Sequence, residues 1–189
     1  MEQQIHGALV DVLGLGVLLV GRSGVGKSEC ALELVQRGHK LVADDVVRLR
    51  LDSSEGDQRV VGFAPELIRH YMELRGVGLI RVPDLFGEAS VLDEARVDLC
   101  CRLEPWREGS HYDRIGLERD SKVLLGIAIP LLELPVRPAG NMATLVEVAV
   151  RDQRERAQGN NAARRLDDRL RRRPAGAERD GAGDAEGEA

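Results

Sequence analysis

The glycine-rich stretch GRSGVGKS at residues 21–28 constrains this chain more than any other part of the sequence. It matches the pattern G-x-x-x-x-G-K-[ST], in which a loop turns its backbone N–H groups toward phosphates. The apolar run before it, residues 17–20, predicts a buried strand, and apolar residues at helical spacing after it predict a helix over residues 28–38. Because a helix that begins at the loop presents free N–H groups to the same anion, the sequence predicts a site for the phosphates of a nucleotide.

The pattern also predicts roles for individual side chains. We expect Lys27 to reach the β- and γ-phosphates as a point charge, and the Ser28 hydroxyl to bind Mg²⁺. The predicted phosphate-binding residues are Gly21, Arg22, Ser23, Gly24, Val25, Gly26, Lys27 and Ser28. A phosphate loop does not by itself say where a phosphoryl group goes.

Two adjacent carboxylates, Asp44 and Asp45, follow the next predicted strand, residues 40–43, in the run HKLVADD. Neighbouring side chains of an extended chain point in opposite directions, so the two are expected to differ in role. One would face the metal and the other the hydroxyl group that is phosphorylated. A solvated acidic turn after a strand is the alternative.

Two further segments contain both glycine and charged side chains. In the run YMELRGVGLIRV, Gly76 and Gly78 follow Glu73 and Arg75, which indicates either backbone close to a ligand or a tight bend. Residues 135–141, PVRPAGN, predict a loop that either contacts a substrate or lies on the surface without a role in binding.

Composition limits the class of protein. The 189 residues include 43% hydrophobic side chains but only 3% aromatic ones, which is enough for one aliphatic core. A net charge of −5 argues against a general nucleic-acid binder. The three cysteines form no C-x-x-C pair and are expected to be buried thiols in a reducing cytosol. No apolar run approaches the ~20 residues of a membrane helix, and the N-terminus does not resemble a signal peptide, so we expect a cytoplasmic protein without membrane contact.

The order of strand, glycine loop, helix and strand predicts an α/β fold with a phosphate-binding core and additional antiparallel β structure. A strand at residues 7–12 and a hairpin of residues 46–51 and 58–63 supply the antiparallel part. Segments that read as strand or short helix are residues 91–103, 123–134 and 144–150.

The C-terminal part of the chain has a different composition. Residues 151–189 contain ten arginines and nine acidic residues. A C-terminal helix is predicted within residues 159–173, with an N-cap at Asn160 or Asn161, and Leu166 and Leu170 share one of its faces. Residues 174–189 are too polar to form a core and are predicted to be disordered.

These segments, in this order, resemble the catalytic domain of bacterial HPr kinase/phosphorylase. The similarity covers residues 5–160 and is most specific in SECALELVQRGHKLVADD, at residues 28–45, and in MELRGVGLIRV. It implies a P-loop, PEP-carboxykinase-like core, carried by residues 1–158. It also implies that ATP phosphorylates a serine of the phosphocarrier protein HPr, with Mg²⁺ and sometimes with pyrophosphate as the donor. The reverse reaction uses inorganic phosphate and yields pyrophosphate. Family members assemble as hexamers.

The resemblance implies roles that the patterns leave open. Asp44 resembles the general base for the serine and the general acid in reverse, and Asp45 and Glu73 resemble metal-binding or site-ordering carboxylates. His6, in IHG, resembles a histidine near the active site, and Arg114, in YDRIG, resembles a residue that contacts phosphate. The predicted catalytic residues are therefore His6, Lys27, Asp44 and Arg114, and the predicted metal-binding residues are Ser28, Asp45 and Glu73.

The chain departs from the family pattern at Arg22, where an acidic residue is common, at Arg81, where Asp is usual, and at residues 138–141, where Gly-Arg usually precedes the Asn. The altered loop motivates a second hypothesis, a P-loop kinase acting on another protein or a small metabolite. A third is a nucleotide-binding regulator without catalysis, against which the full set of Lys27, Ser28, Asp44 and Glu73 argues.

Overall fold

The computed structural model describes residues 2–54, 56–107, 116–137 and 140–172 of the chain. The helices are α1 (Lys27–Gln36), α2 (Val82–Phe86), α3 (Met142–Ala157) and α4 (Ala162–Arg171). The strands are β1 (Glu2–His6), β2 (Ala8–Val12), β3 (Leu15–Gly21), β4 (Lys40–Ala43), β5 (Val46–Asp52), β6 (Arg59–Phe63), β7 (Tyr71–Leu74), β8 (Gly78–Arg81), β9 (Glu94–Arg96), β10 (Leu99–Pro105), β11 (Asp120–Leu124) and β12 (Ile127–Val136). Within these ranges, none of the helices has the length and apolar character needed to cross a bilayer.

A six-stranded sheet with the order β11-β12-β10-β3-β2-β4 lies at the centre of the fold. Strand β10 runs parallel to β3 and β12, whereas β2 is antiparallel to both β3 and β4. This pattern brings the carboxyl ends of β12, β10, β3 and β4 to one edge of the sheet, together with the start of β2. The prediction of a mixed α/β fold with additional antiparallel strands and a C-terminal helix agrees with this architecture.

Both faces of the central sheet are covered. Strand β3 directs Val17 and Leu19 to the face that packs against α1 and α3, and Leu18 and Val20 to the face that packs against the sheet β1-β5-β6-β9. All four side chains are at most 8% exposed. A strand covered on both faces needs apolar side chains at every position, which explains why residues 17–20 show no alternation.

The predicted hairpin is confirmed, since β5 and β6 pair antiparallel. The glycines at 76 and 78 form the tight bend between β7 and β8, with φ angles of 87° and 104°. Residues 144–150, which the sequence leaves open between strand and helix, belong to α3. The polar segment EQQIH carries no signal of a buried strand, yet it forms β1 at an exposed edge beside β5.

The three cysteines are buried free thiols, as predicted. Burial raises the pKa of Cys30 to about 12 and that of Cys100 to about 11, so neither is a reactive thiolate near neutral pH. The predicted cap of the last helix is Asn161, whose Oδ1 accepts the Arg164 N–H at 3.1 Å. The segment predicted to be disordered, residues 174–189, lies outside the described residues.

Helices α1 and α3 are joined by a group of four ionisable side chains that we call the α1–α3 charge cluster: Glu33, Arg37, His39 and Glu147. Arg37 lies 2.8 Å from Glu33 and 3.0 Å from Glu147, and the His39 ring lies 2.8 Å from Glu147. His39 is only 8% exposed. The cluster therefore fixes the C-terminal end of α1 against α3.

Candidate active site

The loop predicted to bind phosphates connects β3 to α1, at the carboxyl edge of the central sheet. Gly21 has a φ of 145°, and a Cβ there would lie 2.4 Å from the Leu103 carbonyl oxygen, so no other residue fits. Gly26 precedes α1 in the left-handed conformation, with a φ of 103° and no side-chain cap. The first amides of α1 are thus left for an anion.

Lys27 is buried inside this loop. Its side chain is 6% exposed, and Nζ donates to the carbonyl oxygens of Gly21 at 3.2 Å and Arg22 at 3.0 Å. The ammonium group therefore contacts neutral carbonyls of the loop itself. A phosphate at the same place would offer it an opposite charge.

Asp44 lies against the start of α1, although 16 residues separate it from Ser28. The Ser28 Oγ donates to Asp44 Oδ1 at 3.0 Å, and Asp44 is 5% exposed. Burial raises the pKa of Asp44 to about 6, against the lowering effect of the Ser28 hydrogen bond and with further raising by the carboxylates of Asp45 and Glu29. A carboxyl group with this pKa can accept or release a proton near neutral pH.

Asp45 points the other way. Its φ of 63° and the 2.8 Å hydrogen bond from the Val46 N–H to the Asp44 carbonyl oxygen are typical of a γ-turn. The Asp45 side chain is 65% exposed, and Oδ1 lies 3.0 Å from His6 Nδ1. The two aspartates thus face different surroundings, as predicted, but a strained turn separates them instead of strand alternation.

The hairpin β7–β8 also lies beside the loop. It carries Glu73 within β7 and Arg75 in the turn. The guanidinium of Arg75 lies over Gly24, with Nη1 3.2 Å from the position of a Cβ on that glycine. Arg75 adds a positive charge beside the loop that the sequence patterns did not assign to the site. The sequence signal that could have identified Arg75 is its position two residues after Glu73 in the same glycine-containing run.

A cleft of about 160 Å³ brings most of the predicted residues together. It is lined by His6, Ser23, Gly24, Gly26, Lys27, Ser28, Glu29, Asp44, Asp45, Glu73 and Arg75. Arg114 lies outside the described residues. A larger cleft of about 780 Å³, between β6, β9, β12 and the end of α3, is lined by none of the predicted site residues that the structure describes. The smaller cleft is the candidate active site because the ionisable groups converge there.

The donors in this cleft are suited to a hard cation. Ser28, Asp45 and Glu73 offer oxygen atoms, which Mg²⁺ prefers. Among the described residues, no three His, Cys, Asp or Glu side chains are close enough together to hold a metal ion by themselves. Mg²⁺ commonly keeps several waters and is bound partly by substrate phosphates.

Arg81, which departs from the family pattern, and Asn141, which follows the altered loop residues, both have local partners. Arg81 lies 2.6 Å from Asp84 and 3.5 Å from Glu88, so its charge is used at the start of α2. Asn141 caps α3, since its Oδ1 accepts the Thr144 N–H at 2.8 Å, and its amide donates to Glu33 at 2.6 Å. Residues 138 and 139 lie outside the described part of the chain.

A glycine loop at a helix N-terminus, with a buried carboxyl group hydrogen-bonded to the first turn, defines a class of proteins that bind phosphorylated ligands at the edge of a sheet. The sequence places this chain within one group of that class. It belongs to the HPr Serine kinase C-terminal domain family, which it matches over residues 1–170. The resemblance inferred from the sequence is thereby confirmed.

Individual relatives support the same assignment. The HPr kinase/phosphorylase of Caldanaerobacter subterraneus subsp. tengcongensis is 50% identical over 166 residues, which cover 88% of this chain and 53% of the relative. That of Caldicellulosiruptor bescii is 50% identical over 167 residues, with 88% and 53% covered. The chain thus spans about half the length of the curated relatives it matches. The solved structure of the Hpr(Ser) kinase/phosphatase from Coxiella burnetii superimposes with a TM-score of 0.74 and 31% identity, over 87% of this chain and 98% of that one.

Proposed function

We propose that this protein transfers the γ-phosphoryl group of ATP to a serine of the phosphocarrier protein HPr, and that it also catalyses the reverse phosphorolysis. The 3.0 Å hydrogen bond between Ser28 and Asp44 carries the proposal, because it joins a buried carboxyl group to the phosphate loop. The names of the relatives, HPr kinase/phosphorylase and Hpr(Ser) kinase/phosphatase, support the substrate.

In the forward reaction, the serine Oγ forms a bond to the γ-phosphorus, the bond to the bridging oxygen breaks, and ADP leaves. Asp44 in its ionised form accepts the proton of the serine hydroxyl. Lys27 neutralises charge on the β- and γ-phosphates, after exchanging its two carbonyl partners for phosphate oxygens. Arg75 supplies a second positive charge beside Gly24 of the loop.

In the reverse reaction, inorganic phosphate attacks the phosphoserine and pyrophosphate forms. Protonated Asp44 then returns its proton to the serine oxygen. Because the pKa of Asp44 is about 6, both protonation states are populated near neutral pH, which suits one carboxyl group to both directions. His6, in contact with Asp45, helps to order the carboxylates at the entrance, and Arg114 contacts phosphate.

Mg²⁺ would be held by Ser28, Asp45 and Glu73 together with the phosphates. When bound, it neutralises charge on the phosphates and aligns them for in-line transfer. Pyrophosphate, which has the same phosphate groups without a nucleoside, is a second phosphoryl donor for the same loop.

We assign the P-loop, PEP-carboxykinase-like catalytic domain to residues 1–158 and the C-terminal helix to residues 159–173. The protein acts in the cytoplasm as a hexamer. Leu166 and Leu170 on α4, which are 57% and 58% exposed, supply an apolar contact to a neighbouring subunit. Nucleic acid and membrane have no part in this function.

The test is incubation of the purified chain with γ-labelled ATP, Mg²⁺ and purified HPr. We expect label on the HPr serine, and release of labelled pyrophosphate after inorganic phosphate is added. A serine-to-alanine HPr is the matched control. If ATP binds but HPr stays unlabelled while another protein or a metabolite is phosphorylated, the proposed substrate is wrong. If ATP binds without any transfer, the protein is a nucleotide-binding regulator.

A further inference from the structure

The carboxyl edge of the central sheet continues past the phosphate loop on the side away from the acidic residues. There, β10 is the parallel neighbour of β3, with Leu103 opposite Gly21, and β12 is the parallel neighbour of β10, with Pro105 opposite Val136. Ligands of open α/β sheets bind in the crevice outside the carboxyl ends of parallel strands. The residues that directly follow β10 and β12 are therefore placed beside a bound ligand.

These residues are Trp106 and Arg137, and they form a stacked pair. The guanidinium carbon of Arg137 lies 3.8 Å from the centroid of the Trp106 ring. The Trp106 N–H donates to the Val136 carbonyl oxygen at 3.0 Å, which fixes the backbone of the tryptophan to the end of β12. Trp106 is nevertheless 38% exposed. The pair thus offers a flat, positively charged surface.

The distance between Trp106 and the phosphate loop suits a nucleotide. The Leu103 carbonyl oxygen approaches the Cβ position of Gly21 to 2.4 Å, so β10 lies directly against the start of the loop. Trp106 is three residues after Leu103 and directly follows the end of β10. This corresponds to about 10 Å of extended chain, which is comparable with the distance from the β-phosphate of an extended ATP to its base.

The reaction determines the direction in which the nucleotide extends from the phosphate loop. Asp44, Ser28 and Glu73 line the cleft on the β4 side of the loop, so the acceptor serine must approach the γ-phosphate from there. Attack and departure are in line in phosphoryl transfer. The leaving ADP therefore extends to the other side of the loop, toward β10 and β12.

We propose that Trp106 and Arg137 form a platform on which the adenine base of ATP stacks. The inference rests on the proposed function, because it takes residues 21–28 as the triphosphate site. Aromatic rings and guanidinium planes bind the π-face of a base, and removing one such contact weakens binding by about 5- to 150-fold. Inorganic phosphate chains have no π-face, so the platform contributes nothing to their binding.

Calorimetric titrations of the full chain with ATP and with tripolyphosphate, both with Mg²⁺, separate the base from the phosphates. We expect Trp106→Ala to weaken ATP binding by about 5- to 150-fold while changing tripolyphosphate binding by less than about twofold. Trp106→Phe should retain most of the ATP affinity. Trp106→Leu introduces an apolar side chain without a π-face and should weaken ATP binding as Trp106→Ala does. It is the variant to use if Trp106→Ala does not fold.

Arg137→Ala should also weaken the binding of ATP more than the binding of tripolyphosphate. An equal loss of both ligands in the Trp106 variants, or no loss of ATP, would overturn the platform. Lys27→Ala tests the underlying function separately, because it should lose both ligands. If Lys27→Ala bound both normally, the phosphate site itself would be misassigned, whatever the Trp106 variants do.

Discussion

The two ends of helix α1 hold charged side chains in opposite ways. At the C-terminal end, Arg37 of the α1–α3 charge cluster lies between two carboxylates, 2.8 Å from Glu33 and 3.0 Å from Glu147. At the N-terminal end, Lys27 and Asp44 are at least as well buried, but their hydrogen-bond partners among the described residues are neutral. These are two carbonyl oxygens for Lys27, and the Ser28 hydroxyl group and the Asp45 backbone for Asp44.

The pKa values follow this difference. The hydrogen bond with His39, and then that with Arg37, hold the pKa of Glu147 below its ordinary value. Burial instead raises the pKa of Asp44 to about 6. Paired charges stabilise the packing of α1 on α3. The buried Asp44 carboxyl group and the buried Lys27 ammonium group hydrogen-bond only neutral groups among the described residues, and they keep their capacity for a proton and for a ligand. We therefore expect changes at the N-terminal end to affect activity and changes at the C-terminal end to affect stability.

The largest effect is expected from Lys27→Ala. The variant should lose phosphoryl transfer to HPr by on the order of 10³-fold or more, because the charge on the β- and γ-phosphates is no longer neutralised. Label transfer from ATP measures this. Lys27→Arg is the matched control, since it keeps the charge but not the shape. A Lys27→Ala protein with more than a tenth of the wild-type rate would contradict the assignment.

Asp44→Asn should reduce forward transfer by about 10²- to 10⁴-fold, because the amide cannot accept the serine proton. ATP binding should persist, since the loop is intact, and calorimetry measures it. In the wild-type protein, forward transfer should decline below about pH 6 as Asp44 becomes protonated, and phosphorolysis should decline above it. Near-normal transfer by Asp44→Asn would show that another group is the base.

The same substitution should stabilise the protein. Ionised Asp44 is disfavoured by burial, so the folded state loses stability as the pH rises from the ordinary pKa of 3.8 through the folded value of about 6. Asp44→Asn removes this loss and should raise the free energy of unfolding at pH 7.5 by up to about 3 kcal/mol. Urea denaturation at pH 7.5 and at pH 4 measures it, and the gain should disappear at the lower pH. A gain of equal size at both pH values would exclude the ionisation of Asp44 as its cause.

At the other end of α1, Glu147→Gln should destabilise the protein by about 1–3 kcal/mol at pH 7.5, because Arg37 loses its ion pair with this residue and one of the two acceptor oxygens becomes an NH₂ group. The pKa of Glu147 is lowered in the folded state, so its stabilisation is present above the ordinary value of 4.5 and is lost as the pH falls below it. Urea denaturation measures the free energies of unfolding of the two proteins, and their difference should shrink as the pH falls below 4.5. Transfer activity at a temperature where both are folded should remain, and its loss would show that the cluster is part of the active site.

The smallest effect is expected from Asn141→Ala, which removes the cap of α3 and should cost about 1 kcal/mol. Thermal unfolding measures it, and Asn141→Asp, which retains the cap, should cost less. This comparison tests whether the family's loop asparagine serves the stability of α3 in this chain. A selective loss of phosphorolysis without loss of stability would contradict that role.

Much of the fold could be predicted because local patterns dictate it. The buried strand β3, helix α1 and the hairpin of β5 and β6 each carry their own periodicity or turn signal. Strand β1 carries neither a periodicity nor a turn signal. Its residues are mostly polar and exposed, and only its pairing with β5 makes it a strand. Residues 144–150 are apolar at spacings compatible with either helix or strand, and only packing on α1 and the Asn141 cap make them helical.

The amino-acid order determines the phosphate loop, since glycines at fixed spacing and one lysine suffice to wrap backbone amides around an anion. It also places two carboxylates directly after β4. Their different surroundings depend on the folded chain: burial and Ser28 act on Asp44, and a γ-turn exposes Asp45. The same holds for Arg75 over Gly24 and for Arg137 on Trp106. These contacts join residues far apart in the chain, and their energies depend on solvent exclusion and distance, which no local pattern encodes.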